Sequence, residues 1–413
     1  MVQYSSTTRV TADAASIASR QAEPKYTKPT HTRRFYIYWL TSLLLTLAIL
    51  ALASYRSGSV VRVLLNQVPK HPQLMFGRFL IRGKHPTQSF AYAWRLKSND
   101  RMLARISAWM GYIVHQLGQW GVLYLVHRKG VAWGNHYGPL NWLMVGVNGF
   151  GVAYKFIQCH WLYGGLAEDF PEAMAQASVV MWIPIVMLME MPRRGLVLGN
   201  IKRFASSSEI VAFFRKYHGY VISFGVTFTF HYHPLEGTLG HLSGFFYMFL
   251  MLFGQTTNFG VHDHRNRSWT LALETLVWLH AVLTALLQTG PPTTIFFGGF
   301  FTLFCLCQFH GAPFLSGQRH RLPILLGAWL TVLGAWLTAT NAWRRAFMAV
   351  FIPLSEYFYV LCYAVAFFAG RRVYARLPRG WVAVVLSALV SALMLVLIVY
   401  SLGGNLSVVN DEY

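Results

Sequence analysis

Apolar runs of bilayer length recur along this 413-residue chain, and they constrain its fold more than any other feature. A run of about 20 apolar residues crosses a membrane as a helix, because a helix satisfies its own backbone hydrogen bonds. We therefore predict an all-α, polytopic transmembrane helical bundle with about eleven spans, nine being the lower bound. The predicted spans are 35–53, 106–126, 140–162, 173–191, 209–230, 239–259, 269–287, 293–310, 322–339, 347–368 and 381–402. Pro171, Pro184 and Pro234 interrupt the fourth span and the pair flanking residue 235.

Basic residues dominate the charge of the chain, which has a formal net charge of +21 and is only 12% charged overall. In a soluble protein this excess of basic residues would indicate binding to nucleic acid. In a membrane protein, Lys and Arg instead collect in loops that face the cytosol. We expect no nucleic-acid partner, and a multi-pass protein of the endoplasmic reticulum. The loop near 163–172 has Glu168, Asp169 and Glu172 but no Lys or Arg, so we place it on the non-cytosolic side.

Polar residues are unevenly distributed among the predicted spans. They concentrate between His115 and His310, whereas the last three spans contain almost none except Glu356 and a few Tyr and Thr. No internal repeat is evident, which weakens the hypothesis of an inverted-repeat transporter. We divide the chain into a disordered cytosolic tail (1–34), an anchor helix with a long basic loop (35–105), a functional helical bundle (106–312), scaffold helices (313–402) and a short tail (403–413).

The stretch from His231 to His241 is the first candidate for chemistry, because an ionisable group at membrane depth is costly and usually functional. Pro234 and Gly237 break the helix there, which predicts a tight connection that caps the bundle. A carboxyl in such an apolar mouth can stay protonated, and a neighbouring histidine can return its proton. Alternatively, these histidines only hydrogen-bond backbone carbonyls that the break exposes. The predicted catalytic residues are the acids Glu236, Asp169 and Glu168, with His231, His233 and His241 tuning or re-supplying the proton.

A second acidic segment, 164–172, carries Glu168 and Asp169 on the same predicted side of the membrane. The simpler interpretation is a helix amino terminus, where acidic side chains favour the helix dipole.

Further polar and aromatic residues are candidates for holding a substrate. Glu190 and Glu274 lie inside apolar runs, so each should be paired with Arg or His, or be protonated. Arg194 could bind an anionic substrate head, although anchoring to the cytosolic leaflet explains such arginines more simply. Ring faces could stabilise a carbocation, although packing is the ordinary role of aromatic residues. The predicted substrate-binding residues are His160, Gln158, His280, Tyr247, Phe246, Glu190, Arg194, His218 and Glu274.

Metal and haem chemistry fit the sequence poorly, so we expect no metal and no cofactor. His218 and His231 are thirteen residues apart, which puts them on nearly opposite faces of one helix rather than in position for two haems. The histidine pairs are too sparse for a di-iron site, and the four cysteines show no zinc spacing. A transporter or receptor for a small lipophilic ligand remains an alternative, since it would share the polar bundle.

Segments 216–224 and 231–250 resemble a fungal family of membrane-bound terpene cyclases from meroterpenoid pathways of the ascofuranone and macrophorin type. The same family is also resembled by segments 164–172, 192–199 and 266–269. The resemblance therefore covers roughly residues 106–312. It implies an enzyme that protonates a terminal olefin or epoxide of a prenylated aromatic or quinone-like substrate. The cation would then cyclise and lose a proton, with no metal or redox cofactor. The resemblance supplies no residue-level catalytic assignment.

Overall fold

The computed structural model describes residues 32–64, 101–287, 294–312 and 322–374, apart from 163, 171, 206 and 236, together with residues 389 and 392. Within these residues all the regular elements are helices, and the extended pairings are two isolated bridges. The prediction of an all-α fold is therefore confirmed. The α-helices are α1 (Thr32–Ser57), α2 (Val60–Leu64), α3 (Arg101–Lys129), α4 (Pro139–Trp161), α5 (Glu172–Val180), α6 (Ile183–Arg194), α7 (Ser207–Tyr232), α8 (Leu239–Phe249), α9 (Arg267–Leu287), α10 (Phe300–Leu306), α11 (Leu322–Ala339) and α12 (Met348–Tyr374).

The predicted spans coincide with helical segments wherever they fall on described residues. The eleventh span, 381–402, lies outside the described residues, as do most of the predicted basic loop and nearly all of the amino-terminal tail. The fourth span is split into α5 and α6, and Pro184 stands in the first turn of α6, where the missing proline N–H costs no helical hydrogen bond.

Two helices contain π-helical turns, in which the backbone winds more loosely than in an α-helix. Leu250–Gln255 continues α8, and Ile295–Gly299 precedes α10. In the first turn the Thr256 N–H donates to the Met251 carbonyl, five residues back, at 2.8 Å. Such turns expose backbone carbonyls to neighbouring side chains and occur frequently at functional sites.

Helices α3 and α4 pack together with their polar faces buried and their apolar faces outward. On α4 the buried residues Asn141, Asn148 and Lys155 recur every seven residues, two helical turns apart. The exposed residues Leu143, Phe150 and Ile157 follow the same spacing. The polarity of this pair is thus the reverse of that of a helix pair in water, where the polar face lies outward.

The main apolar core joins α6, α7, α8, α9 and α12 around the π-helical turn of α8. Helix α12, predicted as scaffold, contributes Ile352, Tyr363 and Phe367 to this core and buries Glu356 completely. Among the described residues, the segments Arg33–Tyr55 and Met348–Ala369 are long and apolar enough to cross a membrane.

Candidate functional site

Two histidines from different helices form a buried pair at the centre of the α3–α4–α7 packing. His115 Nδ1 lies 3.1 Å from His231 Nε2, so one ring donates a hydrogen bond to the other. Gly151 on α4 makes room for this pair, because a Cβ at that position would collide with the His115 ring. His231 was predicted as a site residue from its place in the sequence, whereas His115 was not.

Amide and hydroxyl groups hold the histidine pair in position. His115 Nε2 lies 3.1 Å from Asn148 Oδ1, and Gln119 donates to the same oxygen at 2.7 Å. Thr227 then donates to Gln119 Oε1 at 2.6 Å. The Asn148 amide nitrogen donates to the Leu252 carbonyl in the π-helical turn of α8. We call His115, Gln119, Asn148, Thr227 and His231 the histidine network.

Some polar atoms in or next to this network have no hydrogen-bond partner among the described residues. They are His231 Nδ1 and both side-chain polar atoms of Gln116. A buried polar atom without a partner costs roughly 1–3 kcal/mol, so each one calls for a physical reason such as a ligand or a trapped water. The network therefore has unused capacity to bind a polar group.

Lys155 lies against the same network and is also buried. Its Nζ donates to the Gly164 carbonyl at 3.1 Å and to the His231 carbonyl at 3.3 Å. Both acceptors are neutral backbone oxygens. A lysine without a charged partner is costly to bury, and such lysines are often functional in membrane proteins.

A second group of three histidines, His233, His241 and His280, lies where α7 ends and α8 begins; we call it the histidine cap. The rings of His233 and His241 lie 5.1 Å apart, and Ser243 Oγ lies 2.9 Å from His280 Nδ1. Burial lowers the pKa of His233 well below its ordinary value, and the neighbouring His241 and His280 lower it further. A neutral imidazole of this kind can accept a proton.

The predicted acid Glu236 lies outside the described residues. Its chain neighbours Leu235 and Gly237 are both buried, and a Cβ on Gly237 would collide with Val63 and Ala53. The backbone at Gly237 therefore packs closely against the end of α1 and against α2.

Asp169 is held by two donors near the start of α3. One oxygen is ion-paired with Arg105, and the other accepts a hydrogen bond from Trp109 Nε1 at 2.9 Å. A carboxylate that accepts from both sides is poorly arranged to give a proton to a hydrocarbon. Glu168 is the last residue of a short 3₁₀ turn, Leu166–Glu168, and its side chain lies outside the described part of the chain.

Four charged residues at the junction of α6 and α9 make up the arginine cluster: Glu190, Arg193, Arg194 and Glu274. Glu190 pairs with Arg193, whose NH1 also donates to the Gly311 carbonyl at 2.8 Å. Arg194 NH1 lies 2.6 Å from both oxygens of Glu274. Glu190 and Glu274 were expected to be paired with Arg or His, or to be protonated, and both are paired with arginine.

The position of Arg194 corrects the simpler explanation of this arginine as a leaflet anchor. Its side chain is 0% exposed, so it does not face the solvent or a membrane surface. Gly195 ends α6 immediately afterwards with a positive φ of 77°, and any Cβ there would collide with the 199–200 backbone. The chain thus turns sharply away while the guanidinium stays inside the core.

The other predicted substrate-binding residues lie in three separate places. His160 stands beside Trp161, and Gln158 donates to Ser107 Oγ at 3.4 Å near the histidine network. Tyr247 and Phe246 pack against the main core. His218 pairs with His264, their Nε2 atoms lying 3.4 Å apart.

A shallow apolar groove of about 530 Å³ runs along the outside of α9, lined by Trp39, Leu271, Ala272, Thr275 and Leu279 among others. None of the predicted site residues lines it. Among the described residues, no three His, Cys, Asp or Glu side chains come together in a way that could hold a metal ion.

Sequence reasoning missed His115 and the burial of Arg194. The seven-residue spacing of polar positions on α4 was a usable signal for the inward face of that helix. No family model, curated protein or solved structure matches this chain.

Proposed function

We propose that the chain is a multi-pass membrane protein, in which α3 and α4 cross the bilayer as well as α1 and α12. The reversed polarity of α3 and α4 supports this, because outward Phe150 and Ile157 are well solvated by lipid and poorly by water. The inward polar residues lower the mean hydropathy of both helices. The endoplasmic reticulum is the proposed location.

Within this bundle the protein acts as a terpene cyclase on a prenylated aromatic or quinone-like substrate. The observation that carries this function is the gathering of imidazoles around the connection between α7 and α8, buried in the His115–His231 pair and half-buried in the histidine cap. Imidazoles can act as bases, and the apolar core lies beside them. Phe230, Phe245 and Phe249 pack beside this region and offer ring faces to a cation.

The reaction needs one acid and one base. A carboxylic O–H bond of Glu236 breaks as the π electrons of the terminal olefin form a new C–H bond, which leaves a tertiary cation. The next double bond attacks this cation and closes a ring, and the final cation loses a proton to an imidazole. That imidazole returns the proton to the carboxylate, so substrate and product have the same mass.

His231 and His233 are the best placed imidazoles for this return. His233 belongs to the connection that contains residue 236, and His231 Nδ1 has no partner among the described residues. His115, oriented by Asn148, holds the opposite nitrogen of His231 and so fixes the direction in which Nδ1 points.

Substitution Glu236→Gln tests the acid directly. We expect loss of product, because an amide cannot supply the proton, while the protein accumulates in membranes at a normal level. The assay is expression in a host fed prenylated aromatic substrates, with a search for a product of equal mass and shifted retention. Glu209→Gln, on the exposed start of α7, is the matched control and should retain turnover. Full turnover by the Glu236→Gln variant would rule out Glu236 as the acid.

A transporter or receptor for a lipophilic ligand is the second candidate, and the row of buried polar residues on α4 favours it. Asn141 and Lys155 lie about 21 Å apart along that helix, which is about two thirds of a bilayer core of roughly 30 Å. Flux of a ligand across vesicles without an isomerised product would identify this function.

A further inference from the structure

Arg194 has unused hydrogen-bond donors in a place where water does not reach. A guanidinium carries five N–H donors and no acceptor. Among the described residues, NH1 of Arg194 contacts both oxygens of Glu274 at 2.6 Å, and the weakly polar Cys307 thiol lies beside the guanidinium. Its Nε and NH2 atoms are buried and have no hydrogen-bond partner among the described residues.

These two atoms form one edge of the guanidinium. Nε–H and the adjacent NH2 N–H point in parallel, which is the geometry that holds the two oxygens of a carboxylate. Glu274 occupies the opposite part of the group and leaves this edge available. Arg193, the adjacent residue, differs, because its Nε and NH2 both contact Glu190 and its NH1 reaches Gly311.

The local charge also favours an anion. Arg193 and Arg194 balance Glu190 and Glu274, and Arg215 interacts electrostatically with Glu190 as a third cation. The surroundings of Arg194 are otherwise weakly polar: the Cys307 thiol, a weak hydrogen-bonding group, lies within reach of the guanidinium, and the Tyr357 hydroxyl donates to the Leu196 carbonyl at 2.7 Å.

We propose that the Nε–NH2 edge of Arg194 binds the carboxylate of an amphipathic substrate, so that the substrate is a prenylated aromatic acid rather than a neutral phenol. This assignment rests on the proposed function for the prenyl part, and on the donor geometry of Arg194 for the acid part. Arg194 acts as a binding residue, and Glu274 competes with the ligand for its charge.

The test compares two ligands that differ only at the acid. The purified full-length protein in nanodiscs is titrated with a farnesylated dihydroxybenzoic acid and with its methyl ester, and tryptophan fluorescence reports binding. We expect the wild type to bind the acid at least about tenfold more tightly than the ester, a difference typical of one charged bidentate contact. Equal affinities, or no binding of either compound, would overturn the proposal. Equal affinities are the result expected if a buried water, rather than a ligand, satisfies the donors of Arg194.

Matched variants locate the effect. Arg194→Lys keeps the charge next to Glu274 but lacks the paired donors, so it should lose the preference for the acid, whereas Arg193→Lys should keep it. A preference unchanged in Arg194→Lys contradicts the assignment. If that variant fails to accumulate, Glu274→Gln tests the site by a change in the opposite direction. Removing the competing carboxylate should increase the affinity for the acid, and a lower affinity would count against the proposal.

Binding and turnover separate the two proposals. Acid preference without any cyclised product would refute the cyclase and leave the Arg194 site standing. Cyclised product without acid preference would refute the Arg194 site alone.

Discussion

At the scale of single residues, Glu356 is a costly side chain to bury in the described core. It is 0% exposed, and neither carboxyl oxygen has a hydrogen-bond partner among the described residues. Burial without a partner is tolerated in a native fold mainly where the group has another role. The sequence assigned α12 to a scaffold, because one acidic residue in an apolar run gives no sign of which neighbours it will meet.

Replacing Glu356 by leucine should stabilise the protein. The change removes two unpaired oxygens at similar volume, which is worth roughly 1–3 kcal/mol. Thermal unfolding in detergent, followed by intrinsic fluorescence, should show a higher midpoint for Glu356→Leu than for the wild type. Glu356→Gln retains unpaired polar atoms and should gain little. A midpoint for Glu356→Leu below that of the wild type would show that the carboxyl has a stabilising partner.

Arg194 illustrates what residue-level reading could and could not predict. An ion pair with a carboxylate was predictable, since a buried carboxylate such as Glu274 needs a cation. Its burial was not, because the chain around Pro192 reads like any basic end of a span, and the partner lies eighty residues away.

At the scale of helices, the contact between α3 and α4 depends on small residues at the crossing. Gly151 lies under the His115 ring, and Gly118 lies against Val147. Close approach of the two backbones brings Asn148 within reach of His115 and Gln119, so the packing of one helix pair sets the geometry of the histidine network.

A methyl group at position 151 should therefore disturb the network. Gly151→Ala forces the His115 ring to move, at a cost of about 1–3 kcal/mol for overpacking. We expect a lower thermal midpoint and reduced product formation. Gly146→Ala, on the same helix, meets nothing within 4 Å and should behave like the wild type or slightly better. Identical behaviour of the two variants would mean that the ring has room to shift.

The helices themselves were predictable from the sequence, and their special features only partly. Apolar run length located the helices, and Pro184 correctly marked the break between α5 and α6. The π-helical turns were not predicted, because Leu250–Gln255 reads as a continuous apolar segment and its loosened winding depends on partners such as Asn148.

At the scale of the whole molecule, α3 and α4 turn polar groups inward and apolar groups outward, while the main core is apolar. Apolar groups on an outer face have a low free energy in lipid and a high one in water. Hydropathy predicts the place of the described helices well. It does not predict that His115 meets His231, since such a contact depends on how distant helices pack.

A lysine on the outer face of α4 distinguishes the two environments. Phe150 is 58% exposed and lies near the middle of the helix, where a charged residue costs about 2.5–3.5 kcal/mol in a membrane. Phe150→Lys should thus lower accumulation in isolated membranes, measured by immunoblot after carbonate extraction. Ala132→Lys, in the exposed loop before α4, should not. Normal accumulation of both variants would argue that α4 faces water.

The π-helical turn at Leu250–Gln255 also ends the helical rod that begins with α8. Its wider winding holds one extra residue, which offsets the residues that follow by about 100° relative to an α-helical continuation. Phe246 packs against Trp39 before the turn, while Thr257 and Asn258, just after it, contact the hydroxyls of Tyr137 and Tyr38. Deleting one residue from the turn would therefore rotate Thr257 and Asn258 away from these two tyrosines.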